Sequence, residues 1–208
     1  MQVTVTGAQA LDEPLPGVDF IQVDFAEREA VDATVRLIAQ DDYDVLVNNA
    51  GINRIQPFFE VDPSEFDRIL DVNLRAAFRL CQAVLPGMRR IGSGRIVNIS
   101  SVFAVVSKAQ RAAYSTSKFG LTGLTKALAA EVAAENILVN CVAPGFIDTD
   151  LTRRILGEAG IQELVAQIPL KRLGRSDEVA ALVSWLVSEQ NTYVSAQVLV
   201  IDGGFTSV

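Results

Sequence analysis

Tyr114 and Lys118 stand four residues apart in Tyr-Ser-Thr-Ser-Lys, a stretch of helical character, so both side chains fall on one face. A phenol titrates at about 10 and is a poor acid or base near neutrality. An ammonium held beside it favours the phenolate and brings proton transfer into working range. Ser101 follows an apolar run, Ile96–Ile99, and its hydroxyl could bind a substrate oxygen as charge develops there. The chemistry these three side chains could share is proton exchange with an oxygen. A Tyr-x-x-x-Lys pair by itself usually means no more than two solvated side chains on a helix, so the surrounding elements decide its weight.

Those elements alternate. Strands are expected at Val3–Thr6, Val18–Asp24, Val45–Val47, Ile96–Ile99, Ile137–Ala143 and Val198–Ile201, all short and apolar or alternating. Helical spacing marks Glu27–Gln40, and Asp62-Pro63-Ser64-Glu65 announces a long helix with an N-cap, a proline in the first turn and an acid at N3. That helix is expected to end near Pro86-Gly87, and a second long one spans about 113–134. Residues 146–174, with Gly157, Gly160 and Pro169, read as short helices folded over a site, and Ser176-Asp177-Glu178 opens a last helix. Strands alternating with helices imply an α/β fold, one parallel sheet with helices on both faces, in a single domain over residues 1–208. Ligands of such sheets lie outside the carboxyl ends of the strands. Asp24, Asn48-Asn49-Ala50-Gly51, Ser101 and Pro144-Gly145 all follow strands directly and gather on that edge.

Asn48-Asn49-Ala50-Gly51, Asn73 in Asp-Val-Asn-Leu, Ser101, the Tyr114/Lys118 pair and Pro144-Gly145 occur in the order and spacing of the short-chain dehydrogenase/reductase family. The resemblance covers the chain from about Val18 onward, and 3-oxoacyl-carrier-protein reductases are the most similar members. It implies a Rossmann-like doubly wound sheet and an NAD- or NADP-dependent exchange between a carbonyl and a secondary alcohol. In that scheme Tyr114 is the acid/base, Lys118 lowers its pKa and holds the nicotinamide ribose, and Ser101 binds the substrate oxygen. Asn73 opens its helix locally and holds a water in a relay to Lys118. Asp24 and Phe25 meet the adenine, Asn49, Ala50 and Gly51 line the adenosine ribose, and Pro144, Gly145, Ile147 and Thr149 hold the carboxamide. The family pairs through its two long helices, here about 64–86 and 113–134, so a homodimer or homotetramer is implied.

One family feature has no counterpart. A Thr-Gly-x-x-x-Gly-x-Gly turn, which seats the pyrophosphate on a helix N-terminus, occurs nowhere; Thr6-Gly7-Ala8 continues into Gln-Ala-Leu-Asp-Glu-Pro. The opening Val-Thr-Val-Thr-Gly resembles the family's second strand, so the chain reads as N-terminally truncated, with the first strand-helix unit missing or replaced. That unit's strand would lie centrally, and Val3–Thr6 is expected to move into its slot, with Val18–Asp24 beside it, to avoid unpaired edges. NAD and NADP are not distinguished, because Thr6-Gly7-Ala8 carries no charge where the discriminating side chain would stand.

Composition narrows the alternatives. A net charge of −7 excludes nucleic acid or an anionic membrane as the main partner, and no apolar run is long enough to span a bilayer. The absence of histidine and of clustered cysteine leaves no metal-ligand set. Cys81 and Cys141 sit in apolar segments as buried thiols, which suits the reducing cytoplasm. Three functions remain open: a dehydrogenase/reductase acting on a small carbonyl or alcohol, a non-catalytic or partner-dependent member of the same fold, and a lyase or isomerase using Tyr114 and Lys118 for proton transfer alone. Arg89-Arg90 could meet an acidic carrier protein, against which stands Glu135 nearby.

Overall fold

A computed structural model describes residues 2–11 and 13–207, without the side chains of Leu151 and Ile155. Among the described residues strands and helices alternate as expected: β1 (Val3–Gly7), β2 (Val18–Gln22), α1 (Arg28–Ile38), β3 (Val45–Asn48), α2 (Pro63–Leu70), α3 (Ala76–Ile91), β4 (Gly94–Ile99), α4 (Ala112–Val132), β5 (Ile137–Pro144), α5 (Asp150–Gln167), α6 (Ser176–Val187) and β6 (Val198–Ile201). Every strand pair is parallel. In β4 and β5, six positions pair from Gly94↔Ile137 to Ile99↔Val142, and both strands are almost wholly buried. That accounts for their unbroken apolar runs: helices cover both faces. On one side α1, α3 and α4 place Val31, Leu80, Val84, Leu128 and Val132 against Ile96, Ile137 and Val139. On the other, Leu186 of α6 packs on Val97 and Val142.

Two long helices carry site residues, and each begins where its local chemistry dictates. The Asp62 carboxylate accepts from Ser64 N at 2.8 Å and caps α2, with Pro63 in the first turn. α2 passes through a π-helical turn, Asp71–Arg75, directly into α3. Such a turn widens the helix by one residue and is a recurrent mark of functional positions. The helix does not end near Pro86-Gly87. Pro86 sits inside α3, which continues to Ile91 and stops at Gly92, whose left-handed backbone (φ 71°) closes the end with bonds to Met88 O and Arg89 O. The proline is tolerated because the packing of Val84 and Met88, both buried, holds the last turns in place.

The sheet departs from expectation at its amino-terminal side. β1 pairs only with β2, from Val3↔Val18 to Gly7↔Gln22, and β3 pairs only with β4, so β1 has not moved in beside β3. The strand order is β1-β2 in one sheet and β3-β4-β5-β6 in the other. Side chains bridge the two sheets: Thr4 Oγ1 lies 3.2 Å from Tyr43 Oη, and Thr6 and Phe25 bound a small cavity with Val47–Ala50. Two physical reasons keep the strands apart. α1 is anchored on α3 through the main core, and β2 and β1 are tied to α1, so a shift of about 4.8 Å would pull apolar surface off α3. The free edges are also wet, with Val5 38% and Val47 40% exposed, so water can satisfy backbone groups that would be costly if buried. Among the described residues no helix is long and apolar enough to cross a membrane.

Candidate active site

The carboxyl ends of β3, β4 and β5 open on a cavity of about 640 Å³. Nine of the expected site residues line it: Asn49, Gly51, Ser101, Tyr114, Lys118, Pro144, Gly145, Ile147 and Thr149. Asn73, Ala50 and Phe25 lie just behind, around the small cavity between the sheets. Asp24 does not reach either cavity; its carboxylate accepts from Ala26 N at 2.9 Å and its carbonyl from Glu27 N, forming the turn into α1.

Each side chain is held by an identifiable device. Ser101 stands two residues past β4 with extended backbone, and its hydroxyl accepts from Phe103 N at 3.2 Å, capping a single 3₁₀ turn. Asn73 lies in the π turn, 1% exposed, and clamps the loop after β3 from both sides: Oδ1 accepts from Ile52 N at 2.8 Å and Nδ2 donates to Ile52 O at 2.9 Å. The same amide donates to Ser117 Oγ on α4 at 2.9 Å. Gly51 is thereby drawn so close that a Cβ there would stand 3.3 Å from Lys118 Nζ and 3.6 Å from Asn73 Oδ1. A bare backbone at this point leaves room for a ligand.

Gly145 serves packing rather than openness. A Cβ would meet Asp202 Cβ at 2.7 Å and Cα at 2.8 Å, so glycine lets the chain leaving β5 run against the end of β6. Beyond it, Asp148 N donates to Gly174 O and Gly174 N to Phe146 O, pinning the root of the segment over the cavity. That segment, α5, is capped by the Thr149 hydroxyl and broken at Gly157, whose backbone (φ 63°, ψ 176°) is not helical, so it is two short helices in succession, as expected. It contributes Thr152 and Leu156 to the cavity, opposite an edge-to-face aromatic series of Tyr114, Phe103, Phe146 and Phe205.

Electrostatics at the centre are dominated by burial. Lys118 is 3% exposed, and Nζ donates to Ile99 O at 2.8 Å. Removal from water disfavours the ammonium and lowers its pKa to about 8. The Tyr114 phenol is pushed up by burial, against which act the Ser101 hydroxyl and the positive charge of Arg111. Lys118 Nζ lies 5.7 Å from the centre of the Tyr114 ring. Arg111 is thus a cation that favours the phenolate, and with burial raising its pKa the phenol is a neutral proton donor at pH 7.

Arg111 was not evident as a site residue from the sequence. It is the last residue before α4, one turn ahead of Tyr114, and lies on the cavity wall. The signal that could have found it is positional: it is a cation three residues before the tyrosine, at a helix start that must face the site. Arg89 and Arg90 are less available to a carrier protein than their adjacency suggests. Arg89 pairs with Glu135 through two bonds, of 2.7 and 2.9 Å, and Arg90 pairs with Asp42.

Comparison with known proteins agrees with this geometry. The family profile described as enoyl-(acyl carrier protein) reductase matches residues 3–206. The 3-oxoacyl-[acyl-carrier-protein] reductase of Thermotoga maritima is 40% identical over 195 residues, 92% of this chain and 79% of that protein. The aldohexose dehydrogenase of Thermoplasma acidophilum superposes with a TM-score of 0.91 at 32% identity, covering 100% of this chain and 85% of the other. A gluconate 5-dehydrogenase of Burkholderia cenocepacia, solved with NADP and tartrate, superposes with a TM-score of 0.85 at 34% identity over 92% of this chain and 76% of the other. A Rossmann-type parallel fold, a profile match over nearly the whole chain and the order of its site residues lead to one assignment: the chain belongs to the short-chain dehydrogenase/reductase family of oxidoreductases.

Proposed function

We propose that the protein interconverts a carbonyl and a secondary alcohol with NAD or NADP, and that Tyr114 moves the proton at the substrate oxygen. The observation that carries this reading is the convergence of Ser101, Tyr114 and Lys118 on one cavity, with Asn73 bracing the loop and helix that bear its walls. The nicotinamide half of a dinucleotide fits what is present: an open backbone at Gly51, the Lys118 ammonium beside it, and the Pro144–Thr149 wall. When bound, the dinucleotide supplies or accepts the hydride. Tyr114, kept neutral by its surroundings, donates to the oxygen during reduction and takes the proton back during oxidation. Ser101 donates a hydrogen bond to the same oxygen as its charge grows, and Lys118 anchors the ribose and supports the phenolate once the proton has left. Asp24 and Phe25 are assigned to the adenine end, and Asn49 and Ala50 to the adenosine ribose.

The pyrophosphate end supports a second reading. Among the described residues no glycine-rich turn joins a strand to a helix near β1, and the backbone at Asn49–Gly51 would have to serve in its place. A partner-dependent or non-catalytic member of the family would look like this. Titration with NADH and NADPH, followed by fluorescence or calorimetry, decides between the two: the oxidoreductase reading expects a Kd below about 1 mM for one of them. No binding at that concentration would leave the partner-dependent reading.

A cytoplasmic homo-oligomer is part of the proposal. Phe78 on α3 and Phe119 on α4 are 45% and 46% exposed, apolar surface on the two helices assigned to pairing. Sedimentation should show a dimer or tetramer that Phe119→Glu shifts toward monomer, and a monomeric wild type would remove this part.

A further inference from the structure

Arg111 is 6% exposed, yet its Nε and Nη1 are buried with no hydrogen-bond partner. A buried guanidinium normally meets a carboxylate or several carbonyls, because leaving its donors unmatched is costly. Here the guanidinium lies over the face of Phe103, 5.3 Å from its carbon to the ring centre, and near enough to Tyr114 for its charge to act on the phenol. The ring borders the same cavity and stands edge-on to Tyr114. Among the described residues no aspartate or glutamate lines this cavity, and the cations that do are Lys118 and Arg111. The first is committed to Ile99 O and, in the proposed reaction, to the ribose. For the second, no described residue supplies a hydrogen bond to its buried Nε and Nη1.

The backbone that aims Arg111 inward is itself unusual. Gln110 has φ 67°, a left-handed conformation that non-glycine residues seldom adopt. Its carbonyl accepts from Gln56 N at 3.2 Å, which ties the turn to the loop after β3. The turn reverses the chain at the mouth of α4 and puts residue 111 on the cavity wall instead of in solvent.

We infer that Arg111 is a substrate-recognition residue for a carboxylate, and that the substrates are short oxo acids and the corresponding hydroxy acids. The inference rests on the oxidoreductase reading for the reaction and deepens it. A planar guanidinium offers a fork of parallel N–H groups that matches a carboxylate, and a long side chain can turn that fork toward the ligand. One uncommitted cation suits one negative charge. Because Arg111 lies one helical turn from Tyr114, the carboxylate sits within a few bonds of the reacting carbonyl, as in 2-, 3- or 4-oxo acids. In the reaction the carbonyl carbon gains a hydride from the reduced nicotinamide dinucleotide, its oxygen takes the Tyr114 proton, and the carboxylate is unchanged. A neutral acyl thioester would leave the guanidinium unmatched.

The test compares pyruvate, acetoacetate and levulinate with their methyl esters, in the full chain and in Arg111→Gln and Arg111→Lys, by turnover with NADH or NADPH and by calorimetric titration of each acid. Wild type should prefer at least one acid over its ester, and Arg111→Gln should erase that preference, lowering the acid-to-ester ratio of kcat/KM about 10- to 100-fold. Arg111→Lys should restore part of it. A role confined to tuning Tyr114 would change acid and ester alike and leave the ratio intact, which would overturn the inference. If no carbonyl is reduced with either cofactor, the oxidoreductase reading fails, and calorimetry decides this one separately: acid binding lost in Arg111→Gln supports carboxylate recognition, and acid binding absent or equal in both overturns it.

Discussion

Tyr114→Phe should lower kcat for carbonyl reduction by about 10³-fold while leaving NADH or NADPH binding and the fold in place. The substitution removes one oxygen and keeps the ring, so the edge-to-face contact with Phe103, at 6.3 Å between centroids, persists. What disappears is the phenol, a neutral acid that converges on the cavity with Ser101 and Lys118. Burial raises the phenol and keeps its proton available at pH 7, while the Ser101 hydroxyl and Arg111 prevent the conjugate base from becoming prohibitively costly. That balance is what a group needs if it must give a proton in one direction and recover it in the other. Steady-state rates for the two proteins, with cofactor affinity and thermal unfolding measured in parallel, check the expectation. A variant retaining more than about a tenth of the rate would show that another donor, such as a water, protonates the substrate oxygen, because losing a positioned general acid costs about 100-fold or more.

Much of this site could be read from the sequence because the residues that carry it follow directly on strands. Asn49 and Ser101 follow within two residues of β3 and β4, and Pro144 ends β5; in a parallel sheet all such ends point one way, so their meeting required only the strand pattern. The cap at Asp62 was legible for a similar reason: proline and acid at fixed offsets have one local meaning. Arg111 was hidden because nothing in its own segment distinguishes an inward cation from a solvated one. Its direction is set by the left-handed turn at Gln110 and by the backbone bond to Gln56, a contact between segments far apart in the chain. The placement of β1 is not legible from edge pairing alone, because the tertiary contact of α1 on α3 fixes where β2, and then β1, can sit. Pro86 inside α3 has the same origin, since tertiary packing of Val84 and Met88 overrides a local stop signal.

Lys118→Met should cost activity about 10²-fold or more and yet make the folded protein more stable at neutral pH. Folding depresses the lysine from 10.5 to about 8, because burial penalises the ammonium. The unfolded chain keeps that proton up to about 10.5, so between pH 8 and 10.5 it binds more protons than the native state and native stability rises with pH. Below about pH 8 the native state carries the full penalty, worth about 3 kcal/mol at 1.36 kcal/mol per pH unit. Methionine fills much the same space without a charge and removes that penalty. It also leaves Ile99 O, which accepts from Nζ at 2.8 Å, without its donor, a loss of about 1–3 kcal/mol. The difference predicts a net gain of about 1 kcal/mol at pH 7, shrinking as pH rises and reversing above about pH 9, where the wild-type amine is already neutral and still donates to Ile99 O. Denaturant unfolding of both proteins at pH 7 and pH 9.5 measures this directly. A site kept for folding would show the opposite: a variant less stable at pH 7, by an amount that does not change with pH, would mean that the buried ammonium is fully compensated by its surroundings. Crossing stability curves joined to lost turnover would instead identify Lys118 as a charge that the fold tolerates at a cost and the reaction requires.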